Sequence, residues 1–247
     1  VAAAADAINV TSTSGPEMIN ANGVATGTAG SAIVSNTSGG RTITVGTAGN
    51  VTGGTQAINL LGSGTAVVIN RGIIGAASTG LAINAVTATA PVMVTNAAGA
   101  TLYGRVALGT GADLLANSGT INTSGVNDLG LGIDSLSNAG TLNTSAPTTF
   151  LGLESFTNTG TTNLSSGLFS VPASTTFANS GTINAKNGAT TITSLAPVAN
   201  SGTLNLQDGA TGDVLTITNN YVGSGSATLN IDASGARADK LVATGAS

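Results

Sequence analysis

Asp128, Asp134 and Glu154 are the side chains of this sequence best placed for acid–base chemistry. The first two lie in one repeat and the third lies one repeat on, at a comparable register. Two carboxyl groups, one protonated and one ionised, can cleave a glycosidic bond. The chain has no His and no Cys. That excludes Ser-His-Asp and Cys-His nucleophiles, Cys/His zinc sites and disulfides. Sugar-cleaving grooves usually carry aromatic platforms, and here there is no Trp and there are two Tyr. The expectation is therefore solvated acids at corners, and no enzyme. The turn Gly109 to Asp113 (GTGAD) is the nearest thing to a calcium loop, but the iterated Gly-Gly-x-Gly-x-Asp frame is missing. No metal or cofactor is expected. Asp239-Lys240 reads as a surface ion pair worth under about 1 kcal/mol.

What would position such groups follows from composition. Of 247 residues, 41% are hydrophobic, 2% aromatic and 6% charged, against roughly a quarter charged in an ordinary soluble domain. The core must be built from Val, Ile, Leu and Ala, and the surface from Thr, Ser, Asn and Gly. The net charge is −4 and the six Lys and Arg are scattered, so no basic stripe exists for nucleic acid. No apolar run reaches the ~18 residues of a membrane-spanning helix. The opening VAAAADAINV has no positive n-region and is not read as a signal peptide.

A short phrase recurs: NSGTIN from Asn117, NAGTLN from Asn138, NTGTTN from Asn158, NSGTIN from Asn179 and NSGTLN from Asn200. The steps are 21, 20, 21 and 21, the mark of a solenoid. Gly, Thr, Ser and Asn disfavour helix interiors. Alternating triplets such as Thr120-Ile121-Asn122 suit short strands with the aliphatic residue turned inward. Two further apolar clusters fall in each period, as at Phe150-Leu151-Gly152-Leu153 and Phe156. The fold expected is all-β: a right-handed parallel β-helix (β-solenoid) with about three short strands per coil of roughly 21 residues. At the normal strand spacing this gives roughly 11 coils and a rod on the order of 50 Å.

Like residues should then stack. Asn117, Asn138, Asn158, Asn179 and Asn200 form an amide ladder at a corner, and Gly119, Gly140, Gly160, Gly181 and Gly202 supply positive φ there. Position five is an aliphatic column with one defect, Thr162. The outward Thr-x-Asn pair departs from the Thr-x-Thr array of ice-binding solenoids. Coils up to about residue 116 are less regular, with steps of 23, 27 and 20 from Gly49 through Gly72 and Gly99 to Gly119. Longer steps imply bulging loops.

The NxGT phrases resemble the passenger repeats of bacterial autotransporters. The block GDVLTITNNYVGSGSATLNIDASGARADKLVATG, Gly212 to Gly245, is similar to the C-terminal cap, or autochaperone segment, of pertactin-like passengers. The matching positions are Gly212, Asp213, Leu215, Tyr221, Gly223, Gly225, Leu229, Asp239, Lys240, Leu241 and Gly245. The resemblance implies export across the outer membrane to the bacterial surface or medium, C-terminal coils folding first, and a translocator barrel encoded after Ser247. The spacer from Ile231 to Asp239 is shorter than the family pattern. The organisation expected is a β-helix over 1–211 and a cap over 212–247. That cap breaks the period and covers the open strand edge with Leu215, Ile217, Tyr221, Leu229, Ile231, Leu241 and Val242. No such cap is read at Val1, so self-association through ends or walls is expected, as is a receptor on a host or neighbouring cell. The role expected is a rigid stalk or adhesin; the alternatives are a self-assembling fibre or surface-layer subunit, and a polysaccharide-cleaving β-helix enzyme.

Overall fold

The computed structural model describes residues 2–3, 6–76, 80–165 and 167–245; Val1 and Ser247, where the open edge and the following barrel were placed, lie outside them. Among the described residues there is no helix. Strands stack in parallel, each pairing with the strand one coil before and one coil after. Among the described residues the single antiparallel pair is Ala233–Ser234 with Arg237–Ala238. The chain is a parallel β-solenoid of about 10 turns, close to 21 residues each.

Each coil has three faces. The first carries the NxGT strands, such as Thr101–Tyr103, Thr182–Asn184 and Thr203–Asn205. The second carries strands such as Gln56–Leu61 and Ala189–Ser194. The third is a ten-stranded sheet from Glu17–Ala21 to Tyr221–Gly223. The first two faces count as one sheet because Thr120–Asp128 and Thr141–Leu151 run unbroken through the corner between them.

Alternation fixes what lies inside. The inward column of the third face reads Ile19, Ile43, Val68, Val94, Leu115, Leu136, Phe156, Phe177 and Val198, in strict register. All are buried in one continuous core that runs from Ile19 to Ile217. The expected defect Thr162 is 1% exposed and harmless, because its hydroxyl donates to Asn158 Oδ1 at 3.1 Å. Phe150, Phe156, Phe169 and Phe177 fill the centre with rings in tilted and edge-to-face contact, Phe169 lying 5.4 Å from Phe156 and 5.9 Å from Phe150. Phe169→Leu keeps most of the volume but loses those ring contacts. It is expected to cost about 1–2 kcal/mol, read as a lower denaturant midpoint with an unchanged β-sheet circular dichroism spectrum.

The segment after Gly212 continues the stack. Val214–Ile217, Tyr221–Gly223, Thr228–Asn230 and Lys240–Ala243 each lie in register on the coil before. What changes is an inserted hairpin between Asn230 and Lys240. Leu215 is fully buried, and Tyr221 and Leu241 pack against the core. Leu229 is 40% exposed, and Ile231 and Val242 are exposed too. These three were expected as apolar contacts of a cover. Nothing among the described residues stacks beyond them.

Candidate functional site

The leading asparagines line up as expected, and the ladder is longer. Asn70, Asn96, Asn117, Asn138, Asn158, Asn179 and Asn200 are each at most 2% exposed. The Nδ2 of each donates to Oδ1 of the next at 2.6–2.8 Å. The second amide proton goes to a backbone carbonyl one coil on, for instance Asn117 to Thr141 O and Asn138 to Thr161 O, both at 3.0 Å. That carbonyl fixes which end of the amide is nitrogen. At the end of the ladder Asn200 Nδ2 donates to the Tyr221 hydroxyl at 3.1 Å. Asn70 and Asn96 open two phrases of the irregular half, whose uneven steps left them out of the expected ladder.

The glycine column is correctly located but has a different cause from the one expected. Gly119, Gly140, Gly160, Gly181 and Gly202 do not have positive φ, and among the described residues no non-glycine residue does either. The constraint is space. A Cβ on Gly140, Gly160, Gly181 or Gly202 would overlap the carbonyl oxygen of the glycine one coil before. The corners touch backbone to backbone, and only a residue without a side chain fits.

A second ladder runs on the outer side of the first face. Asn143 donates to Asn122 at 2.8 Å, Asn163 to Asn143 at 2.7 Å, Asn184 to Asn163 at 2.6 Å and Asn205 to Asn184 at 2.9 Å. Its polarity is opposite to that of the buried ladder. The outward position six was read from sequence only as a polar neighbour.

The acids form a third stack. Asp113 Oδ1 accepts Val92 N–H, Asp134 Oδ1 accepts Asp113 N–H and Glu154 Oε2 accepts Asp134 N–H, each at 2.7 Å. Asp113 and Asp134 are buried, each with its second oxygen unpartnered. Asp134 and Glu154 thus meet, while Asp128 accepts the N–H of Gly130 in its own exposed loop at 3.0 Å. Asp134 is not the solvated corner acid expected. Asp113, the acid of the GTGAD turn, holds a backbone amide instead of an open cation loop. Among the described residues no cluster of three acids is arranged to hold a metal ion.

Burial pushes the Asp134 carboxyl up to about 6, opposed by the Asp113 N–H and reinforced by the charges of Asp113, Glu154 and Asp128. Burial likewise raises Asp113, against the Val92 and Gly109 amides. A raised native value means that the contribution of Asp134 to stability is complete below about pH 4 and is lost as pH climbs through about 6. Asp134→Asn keeps the bond to Asp113 N–H. It is expected to stabilise by about 1–2 kcal/mol at pH 7, below the full linkage value because half-exposed Glu154 admits water to the stack. The gain should vanish at pH 4, as denaturant midpoints from pH 4 to 8 will read.

Asp239 has the opposite sign. The Asp232 N–H, with those of Gly212 and Asp213, holds its carboxyl below the usual range. Its contribution is present above the usual range and lost as pH falls through the lowered value. Asp239 is 4% exposed and clamps the hairpin to the coil beneath; it is not the surface partner of Lys240 that was expected.

An open groove of about 550 Å³ lies on the first face, bordered by Thr52, Ile73, Gly75, Tyr103, Asn122 and Ser145 among others. None of Asp128, Asp134 and Glu154 borders it. No family model, curated protein or solved structure matches this chain. Its functional reading rests on the stacked ladders and this groove.

Proposed function

We propose that the chain is a non-catalytic structural passenger: a rigid extracellular stalk that carries an adhesive surface. The observation that carries this reading is the unbroken vertical register, in which one apolar core and one buried amide ladder run through coil after coil. Such a stack gains stability from every neighbouring coil pair and leaves little exposed backbone for proteases. The NxGT phrases and the Gly212 to Gly245 block support export by an autotransporter route, to the cell surface or the medium. Placed ahead of a translocator barrel in a bacterium, the chain is expected to reach the cell surface and to be shaved off by added protease. Retention in the periplasm overturns the export reading. Purified chain is expected to scatter X-rays as a rod about 50 Å long and to turn over no pectin, host glycan or peptidoglycan.

A second reading, a self-assembling subunit, is favoured by the exposed Leu131 and Ile133, 72% and 79% accessible on one loop, and by Leu195. Electron microscopy at high concentration distinguishes the two: filaments that Leu131→Ser and Ile133→Ser abolish support assembly, and isolated rods refute it.

A further inference from the structure

We infer that the groove on the first face binds a short neutral saccharide through Tyr103. The groove originates in the column of outward residues Thr52, Gly75, Tyr103 and Asn122, stacked in register on successive coils. Gly75 leaves a gap where its neighbours carry side chains, and Tyr103 leans over it: a Cβ built on Gly75 would lie 3.4 Å from Tyr103 Cβ and 3.8 Å from Cδ2. The corner after Tyr103 is a single residue, Gly104, with φ of 107°. The next two coils pass the same corner with more chain, and Ser124 and Ser145 stand out beside the recess. A notch results, floored by Tyr103 and Ile73, which are 47% and 38% exposed.

The chemistry of the walls selects the occupant. The four phenylalanines are sealed in the core, and Tyr221 is bonded into the amide ladder. Tyr103 therefore offers an open aromatic face, and it does so inside the notch. Around it stand Asn50, Thr52, Asn122, Ser124 and Ser145, which are amides and hydroxyls. Every described side chain that borders it is uncharged. A phosphate, a carboxylate or a cation would be desolvated there without a counter-charge, which is costly. A neutral sugar fits both halves of the site. Its C–H face lies on the aromatic ring, and its hydroxyls exchange hydrogen bonds with the amides and hydroxyls around it. The volume lies in the range of ordinary ligand sites, roughly 300–1,000 Å³. This deepens the adhesive part of the reading above by naming the ligand class. The rod itself is tested separately by scattering, so failure here leaves the stalk standing.

The test uses the whole chain with saturation-transfer NMR and calorimetry. Probes are neutral glucose-, galactose-, mannose- and N-acetylglucosamine-based tetrasaccharides, their sialylated and sulfated counterparts, and an uncharged extended peptide. Expected is binding of at least one neutral tetrasaccharide, weakened about ten-fold or more by Tyr103→Ala and by Gly75→Val, which fills the gap. Tyr103 is half exposed, and a Cβ on the buried Gly75 meets nothing nearer than 3.4 Å, so both variants should keep the parent circular dichroism spectrum. Phe169→Leu, remote in the core, should leave binding unchanged. No neutral sugar bound at millimolar concentration, a preference for the charged sugars or for the peptide, or affinity indifferent to both groove variants overturns the inference.

Discussion

Gly160→Ala is expected to destabilise the solenoid by about 3 kcal/mol, near the top of the overpacking range. The added methyl would overlap the Gly140 carbonyl oxygen and approach Ala139 C and O at 2.6 and 2.7 Å. All of these are backbone atoms, so no rotamer change relieves the clash. The alternative is to lift one coil off the other. That stretches the bond from Thr161 N–H to Gly140 O at 2.8 Å and the bond from Gly160 N–H to Asn138 O at 3.0 Å. The buried amide ladder beside this corner would have to lengthen in step. The same substitution at Gly23 meets nothing within 4 Å. Gly23→Ala is expected to be neutral or to stabilise by about 0.5 kcal/mol through the unfolded chain. Guanidinium titrations of both variants, with hydrogen exchange to localise the loss, test the contrast. Equal and small effects at the two sites would refute backbone stacking as the reason for the glycine column.

How far the residues announce this arrangement depends on whether like sits over like. The NxGT phrases are legible because the corner, the inward aliphatic and the outward polar position repeat at one step. Asn70 and Asn96 are in the same ladder, yet two extra residues separate Asn96 from Thr101 compared with Asn117 and Thr120, so the phrase is disguised. That wider corner closes with its own turn, Ala100 N–H to Ala97 O at 3.0 Å. Below Asn70 the column changes to Val45, and no amide spacing is left to read. The glycines were placed correctly for the wrong reason: positive φ is a property of one residue, whereas contact between coils is a property of two. The acids carried a usable signal, since Asp113, Asp134 and Glu154 are 21 and 20 apart, matching the ladder step. The sequence reading set Glu154 one coil on from Asp128 and Asp134 at a comparable register; the structure pairs it with Asp134 and leaves Asp128 in its own loop. The groove left no trace in the period, because it depends on the lengths of three successive corners.

Asn138→Val should cost about 3–4 kcal/mol, because it leaves polar groups buried without partners. Asn138 sits mid-ladder and is fully buried. Removing its amide strips Asn117 Nδ2 of the acceptor at 2.6 Å and Thr161 O of the donor at 3.0 Å. Water cannot take over, because the groups lie inside the stack. The valine itself is well tolerated by a strand, and Val45 occupies the equivalent place one coil below Asn70. The cost therefore comes from the neighbours and not from the new side chain. Asn70→Val makes the same chemical change where the ladder begins. It orphans two acceptors, Asn96 Oδ1 and Thr101 O, and one donor, the Gly72 N–H that Asn70 Oδ1 accepts at 3.1 Å, but it breaks one amide–amide bond where Asn138→Val breaks two. With one ladder bond lost in place of two, about 2–3 kcal/mol is expected there. The ordering is the diagnostic. If stacking hydrogen bonds hold the rod, the identical substitution must hurt more in the middle than at the end, with exchange protection lost first at Thr120, Thr141 and Thr161. Equal losses at the two positions would mean that the amides fill space and the aliphatic core alone sets the stability.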